Sequence, residues 1–366
     1  MTQSRKSIFA GIGIFMLGLS LGFAPAANAA DFSGKTVQII VPSKEGSGTN
    51  RYARLLQKFM EKYLPGNPAV LVVNKPGGAF VKGSNWFQRE AKPNGLMLIT
   101  GSSSMLNSYV FGGKKIQYKL LTWRPVILSP FGTQFLTLRK TGVEGKDIGK
   151  DIRILQKGAW SSGGKNPTSG ELRSFLAYDL LGIKNITPVF GLSTGGRRKA
   201  LLRGELQLSH DNTVAYLGKS KKYVEKGLLS HYMTLGYIQP DGTIGPDPAF
   251  PNKPTFFDAY KAVYGKAPSG PGWKALLHLM NITVMSAKSL WLPAGTSDDI
   301  LNTYIDAMKK VLKDPEFIKH GGKEFESYPQ SFGSEAAKIV KNAVSFDEET
   351  YAWIKKWIKK KYDHNI

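Results

Sequence analysis

The chain has 366 residues, 42% of them hydrophobic and 11% aromatic, which is enough apolar material for one large or two medium cores and excludes a disordered polymer. It contains no cysteine, so disulfides, thiolate metal sites and a lipidated N-terminal cysteine are excluded. A formal net charge of +23 favours an anionic counterpart, whether nucleic acid, anionic lipid or a small acidic ligand.

Arg5 and Lys6 precede an apolar stretch from Ile8 to Phe23, and Ala27-Asn28-Ala29 supplies small residues for a cleavage site. This is the order of a secretory signal, here residues 1–29, so the mature protein is expected in the periplasm. Removing Arg5 and Lys6 leaves +21 (23 − 2). Export argues against a nucleic-acid partner, and no recognition motif for one is present.

Val37–Val41 is a β-branched run that predicts a buried strand ending at Pro42. A small-residue loop follows (Ser43, Lys44, Glu45, Gly46, Ser47, Gly48, Thr49), and Asn50 is a plausible cap for a helix carrying Tyr52, Leu55, Leu56, Phe59 and Tyr63. Ala69–Val73 reads as a second strand, Gly83–Ala91 as a helix, and Leu96–Thr100 as a third strand running into Gly101-Ser102-Ser103-Ser104. This β-α-β-α-β order predicts a parallel sheet flanked by helices, with ligand loops beyond the C-terminal strand ends. A second set follows: a strand at Ile152–Gln156, a loop at Trp160–Gly164, a helix over Gly170–Leu181, a strand at Ile186–Phe190, a basic helix around Arg197–Arg203 and a strand at Leu206–Ser209. Gln239–Gly272 is rich in Pro and Gly and is expected to be irregular. Ser297 is expected to cap a helix, and one long helix is expected from about Ser334 to the C-terminus.

The Ser43–Asn50, Gly101–Ser104 and Trp160–Gly164 loops share one chemistry: backbone N–H groups and hydroxyls at helix starts, with little side-chain bulk. Helix N-termini carry unpaired donors and the positive end of the dipole, which suits a carboxylate.

Thr36 to Pro42, Thr49-Asn50-Arg51-Tyr52-Ala53-Arg54, Asn74-Lys75-Pro76-Gly77-Gly78, Pro93-Asn94-Gly95, Leu201 to Leu208 and Leu292-Pro293-Ala294-Gly295-Thr296 together resemble the substrate-binding proteins of tripartite tricarboxylate transporters, the Bug family. The resemblance implies a two-lobed α/β fold of the periplasmic binding protein type (type II-like), each lobe a mainly parallel sheet flanked by helices. Residues 30–127 with 286–366 would form one lobe and 128–285 the other. It implies a monomeric receptor, without cofactor or catalysis, that passes a small organic acid to membrane subunits. By position, Ser43, Gly46, Ser47, Gly48 and Thr49 would form the first binding loop. Gly101, Ser102 and Ser103 would form the second and Ser162, Gly163 and Thr168 the third, with Asp211 at a strand end facing the cleft. The chain departs from the pattern at Asn50, where the family has Asp, at Lys44 in a loop usually apolar, and at Glu171, which aligns with a common His. Lys44 is expected to pair with a second acidic group on the ligand.

Gly191-Leu192-Ser193-Thr194-Gly195 fits a nucleophile elbow, so an esterase-like hydrolase using Ser193 is the alternative. Asp211, Asp241, His231, His278 and His320 are loose candidates for its partners. The histidines show no metal-binding spacing. The tail Lys355 to Lys361 reads as a solvated helix face with Ile354, Trp357 and Ile358 packed inward.

Overall fold

A computed structural model describes residue 1 and residues 30–366 apart from 240, 323, 324 and 326. The signal segment, residues 2–29, lies outside the described residues. Among the described residues no helix is long and apolar enough to cross a membrane.

The chain runs through β1 (Thr36–Val41), α1 (Gly48–Tyr63), β2 (Ala69–Asn74), α2 (Val81–Glu90), β3 (Met97–Ser102), α3 (Ser103–Phe111), β4 (Arg124–Ser129) and β5 (Thr133–Leu138). It continues through α4 (Ile148–Lys157), β6 (Trp160–Gly163), α5 (Leu172–Leu180), β7 (Ile186–Val189), α6 (Thr194–Arg203), β8 (Leu208–Asn212) and β9 (Leu229–Thr234). A hairpin of β10 (Tyr237–Ile238) and β11 (Ile244–Gly245) leads to α7 (Phe256–Tyr264), α8 (Gly270–Met280) and β12 (Lys288–Leu292). The last elements are α9 (Asp298–Lys313), β13 (Ser331–Phe332), α10 (Gly333–Val344) and α11 (Glu348–Tyr362).

One sheet has the order β13-β4-β12-β3-β1-β2 and a second has β7-β6-β8-β5-β9, which gives the expected two-lobed α/β class. In the first sheet β1 pairs in parallel with β2 and β3, as the β-α-β-α-β pattern predicts. β12 enters antiparallel between β3 and β4, and in the second sheet β5 enters antiparallel between β8 and β9. The sheets are therefore mixed, whereas the sequence suggested mainly parallel ones. Val37, Ile39, Ile40 and Val41 are all buried, because helices cover both faces of β1; this is why the strand reads as an apolar run broken only by Gln38. The chain crosses between the sheets at residues 130–132, and Phe131 N donates to Val284 O of the returning segment (3.1 Å), so the two crossings lie side by side.

Local structure departs from expectation in several places. Ile152–Gln156 is not a strand but part of α4, capped by Asp147 and burying Ile152 and Leu155, so its apolar residues follow helical spacing. Trp160–Gly164 is not a loop: its first four residues form β6. Gln239–Gly272 holds β11, α7 and the start of α8, and α7 opens on a capping box between Thr255 and Asp258. The expected single C-terminal helix is two, α10 and α11. Asp347 caps the second, and Phe346 between them stacks on His278 at 4.1 Å. Along α11, Ile354, Trp357 and Ile358 are buried as expected. This helix also reaches the second sheet's layer: Trp357 Nε1 donates to Asp179 at 2.9 Å, and the Tyr362 ring packs on Phe175 and Phe190.

Candidate functional site

Since β1 and β3 are parallel neighbours, their C-terminal ends open on the same sheet edge, and the first and second loops emerge side by side. In the first loop Ser47 caps α1 by accepting from Asn50 N (3.1 Å), and its hydroxyl meets Ser43 Oγ at 2.7 Å. The cap is thus Ser47, and Asn50 is free for a different task. Its Oδ1 accepts from Gly46 N (3.1 Å), and its Nδ2 donates to Asn74 Oδ1 (3.1 Å); Asn74 Nδ2 in turn donates to Ser43 O (2.7 Å). An aspartate could not donate to Asn74, so asparagine here welds the first loop to the end of β2. Gly46 takes φ +69°, which favours glycine. Thr49 is buried, while Gly48 and Lys44 are exposed.

In the second loop Ser102 Oγ accepts from Ser104 N (3.2 Å) and caps α3. A side chain at Gly101 would strike Ser289 Oγ at 2.2 Å, so β12 can approach only a glycine. The facing loop of the second lobe runs over 164–171. Its Gly170 lies against Ser103: a methyl there would sit 2.7 Å from Ser103 Oγ. Asn107 Nδ2, one turn further along α3, donates to Ser169 O at 2.9 Å. The two lobes therefore meet through small polar residues at the predicted sheet edge.

Thr168 belongs to this facing loop and hydrogen-bonds Asn166 Oδ1 through its amide (3.0 Å). Ser162 and Gly163 do not: both are buried in β6, because that small-residue stretch is a strand packed under Leu206 and Arg197. Asp211 lies near the end of β8, but its carboxylate is bound by Arg198 (2.8 and 3.1 Å) and by Ser220, and it is buried. Ser193 caps α6, accepting from Gly196 N at 3.1 Å, and among the described residues no histidine hydrogen-bonds to it. Among the described residues no cluster of His, Asp or Glu could hold a metal ion.

Glu171 organises the facing loop. It is 3% exposed and accepts from Lys165 Nζ (2.9 Å), Arg197 Nη1 (3.0 Å) and Ser169 Oγ (2.6 Å). Burial pushes its carboxyl up, but Lys165 and Arg197 outweigh that and hold it well below the usual range. In the same cluster burial, with Arg197 and Arg173, pushes His210 well below its ordinary value, so its ring is neutral.

Sequence reasoning missed two cations at this boundary. Arg173 begins the buried face of α5, where burial lowers its pKa to about 10. Lys288 opens β12, its Cα neighbours being Ser102 on one side and Ser129 on the other. Burial, then the charges of Lys165, Arg173 and Arg51, lower its pKa to about 7. The signal was present: Arg173 stands among the buried Leu172, Phe175 and Leu176 of α5, and Lys288 stands at the mouth of the buried strand Ser289-Leu290-Trp291-Leu292.

No protein-family model matches the chain, and no curated protein matches it. Solved structures do. The periplasmic binding protein BugD superposes with a TM-score of 0.61 at 18% identity, covering 88% of this chain and 97% of that one. MatC from Rhodopseudomonas palustris, with bound malate, gives 0.61 at 18% identity over 86% of this chain and 98% of that one. Rpa4515 from R. palustris, with adipate, gives 0.64 at 16% identity over 90% and 98%. The chain thus has the two-lobed fold of the periplasmic binding proteins that its sequence motifs resemble.

Proposed function

We propose that the protein is an extracytoplasmic receptor that captures a small carboxylate-bearing molecule between its lobes and delivers it to the membrane subunits of a tripartite tricarboxylate-type transporter. The observation that carries this reading is the contact of Ser103 and Asn107 of one lobe with Gly170 and Ser169 of the other. At that contact lies the start of α3, and the start of α1 opens on the same sheet edge; the first-turn N–H groups and hydroxyls of both suit an organic acid. The paired crossings at residues 130–132 and Val284 supply a hinge on which the lobes can part to admit it. The malate and adipate held by structural relatives support a carboxylate as the cargo. The excess of positive charge supports attraction of anions in general. The N-terminal signal pattern supports the periplasm as the site of action, and a monomer is the expected form.

A thermal-shift screen of the purified protein against malate, adipate and their monocarboxylate counterparts tests the reading. A ligand that binds only the folded state stabilises it by about 2.7 kcal/mol at a hundred times its Kd. A raised melting temperature with at least one organic acid is expected. No shift with any of them, or turnover of one of them, overturns the proposal.

A further inference from the structure

Among the described residues, two cations at the lobe boundary have no carboxylate within ion-pair distance. Arg173 is 6% exposed and donates Nε to Thr133 Oγ1 (2.9 Å) and Nη1 to Gly170 O, both neutral acceptors. The carboxylate beside it, Glu171, is already engaged by Lys165 and Arg197. Lys288 is part-buried, and among the described residues its Nζ reaches only Ala287 O at 3.3 Å. Arg173 adds to the positive field around Lys288, together with Lys165 and Arg51. Desolvating like charges without a partner is costly, and an anion seated between them removes that cost. The place is also right: Lys288 stands between Ser102 and Ser129, and Ser129 Oγ meets Tyr52 OH of the first turns of α1 at 3.1 Å.

We propose that Arg173 and Lys288 clamp one acidic group of the bound molecule across the lobe boundary, so that the receptor selects organic dianions over monoanions of equal length. This rests on the carboxylate-receptor reading. In it, the neutral donors of the first loop and of α3 hold one carboxylate, and the cation pair holds the other. Charge from both lobes on one group also ties closure to cargo: a monoanion seated on the neutral donors leaves the two cations facing each other. The role expected of exposed Lys44 thereby passes to Lys288, which is already partly desolvated and loses less hydration on pairing.

The test compares wild type with Lys288→Met, a neutral side chain of similar length. Calorimetric titrations use malate and adipate against butyrate and hexanoate, and thermal unfolding is followed with added inorganic phosphate. Wild type is expected to bind the dianions more tightly than the monoanions. Lys288→Met should lose about ten- to a hundredfold in dianion affinity, the worth of a charged hydrogen bond, while monoanion affinity stays unchanged. Without ligand the variant should melt at or above wild type, because an unpaired desolvated cation is gone; a purely structural lysine predicts the reverse. Phosphate should raise the melting temperature of wild type and not of the variant. If phosphate protects only wild type but no carboxylate binds, the clamp stands and the carboxylate reading falls. Equal dianion binding by both proteins overturns the clamp and leaves the receptor reading intact. Absence of both phosphate protection and carboxylate binding overturns both.

Discussion

Replacing Glu171 with Gln tests how the facing loop is held. The substitution keeps the shape and one acceptor oxygen but removes the only carboxylate bonded to Arg197 among the described residues, and Arg197 is 2% exposed. Lys165 is 35% exposed and can turn to water, whereas Arg197 cannot. Arg197 would keep its bonds to Ser209 Oγ (3.2 Å) and His210 O (2.8 Å), both neutral. Breaking a buried pair in this way costs about 3–5 kcal/mol, because a charge is left uncompensated in a desolvated site. Urea unfolding at neutral pH measures the loss. The double variant Glu171→Gln/Arg197→Met should recover much of it, since neutral or apolar replacements of a whole buried pair are often well tolerated. The pH dependence has a defined sign. The folded-state pKa of Glu171 lies well below its ordinary 4.5, so its stabilisation is present above that value and is lost as pH falls through the folded one. The gap between wild type and Glu171→Gln should therefore close in acid. A loss under about 1 kcal/mol at neutral pH, the range of an exposed pair, or a gap that widens in acid would refute this account.

Three further outcomes are expected. Gly170→Ala places a methyl 2.7 Å from Ser103 Oγ, so it should weaken ligand binding by roughly five- to a hundredfold by wedging the lobes apart, with the urea midpoint unchanged; unchanged affinity in titration calorimetry contradicts the close contact. His231, 5% exposed and packed on Tyr216 and Phe250, has its pKa lowered to about 3, first by burial and then by Lys253. The unfolded chain takes up this proton near pH 6.5 and the folded one does not, so stability should fall between pH 6.5 and 3, by up to about 1.4 kcal/mol per pH unit. Thermal melts of His231→Phe should show a shallower decline, and a parallel one counts against it. Asn50→Asp removes the donor to Asn74 Oδ1 and sets two acceptors face to face, so a loss of about 1–3 kcal/mol is expected in urea unfolding; a neutral result would mean that Asn74 turns its amide to compensate.

Much of the first lobe was legible in the linear sequence. The β-branched run at Val37–Val41, the spacing in α1 and the small-residue stretches after β1 and β3 follow from local sterics and periodicity, which act over a few residues. The parallel pairing of β1, β2 and β3 followed from the order of elements, and the terminal basic run placed its apolar residues inward as read.

Other features were decided only by tertiary contact. Ser161–Gly164 looks like a loop because its residues are small, yet Gly163 is small so that the end of a strand can pass beneath Leu206 and Arg197. Asp211 reads as a site acid until Arg198, thirteen positions earlier, is found bonded to it. β12 inserts antiparallel between β3 and β4 from nearly two hundred positions away, and this brings Lys288 beside Ser102. Local sequence sets helix, strand and turn because those depend on neighbouring residues. Which charges lose their water and which find a partner depends on elements that meet only after the chain has folded, and at this lobe boundary that difference separates the paired Glu171 from Arg173 and Lys288, which have no carboxylate partner among the described residues.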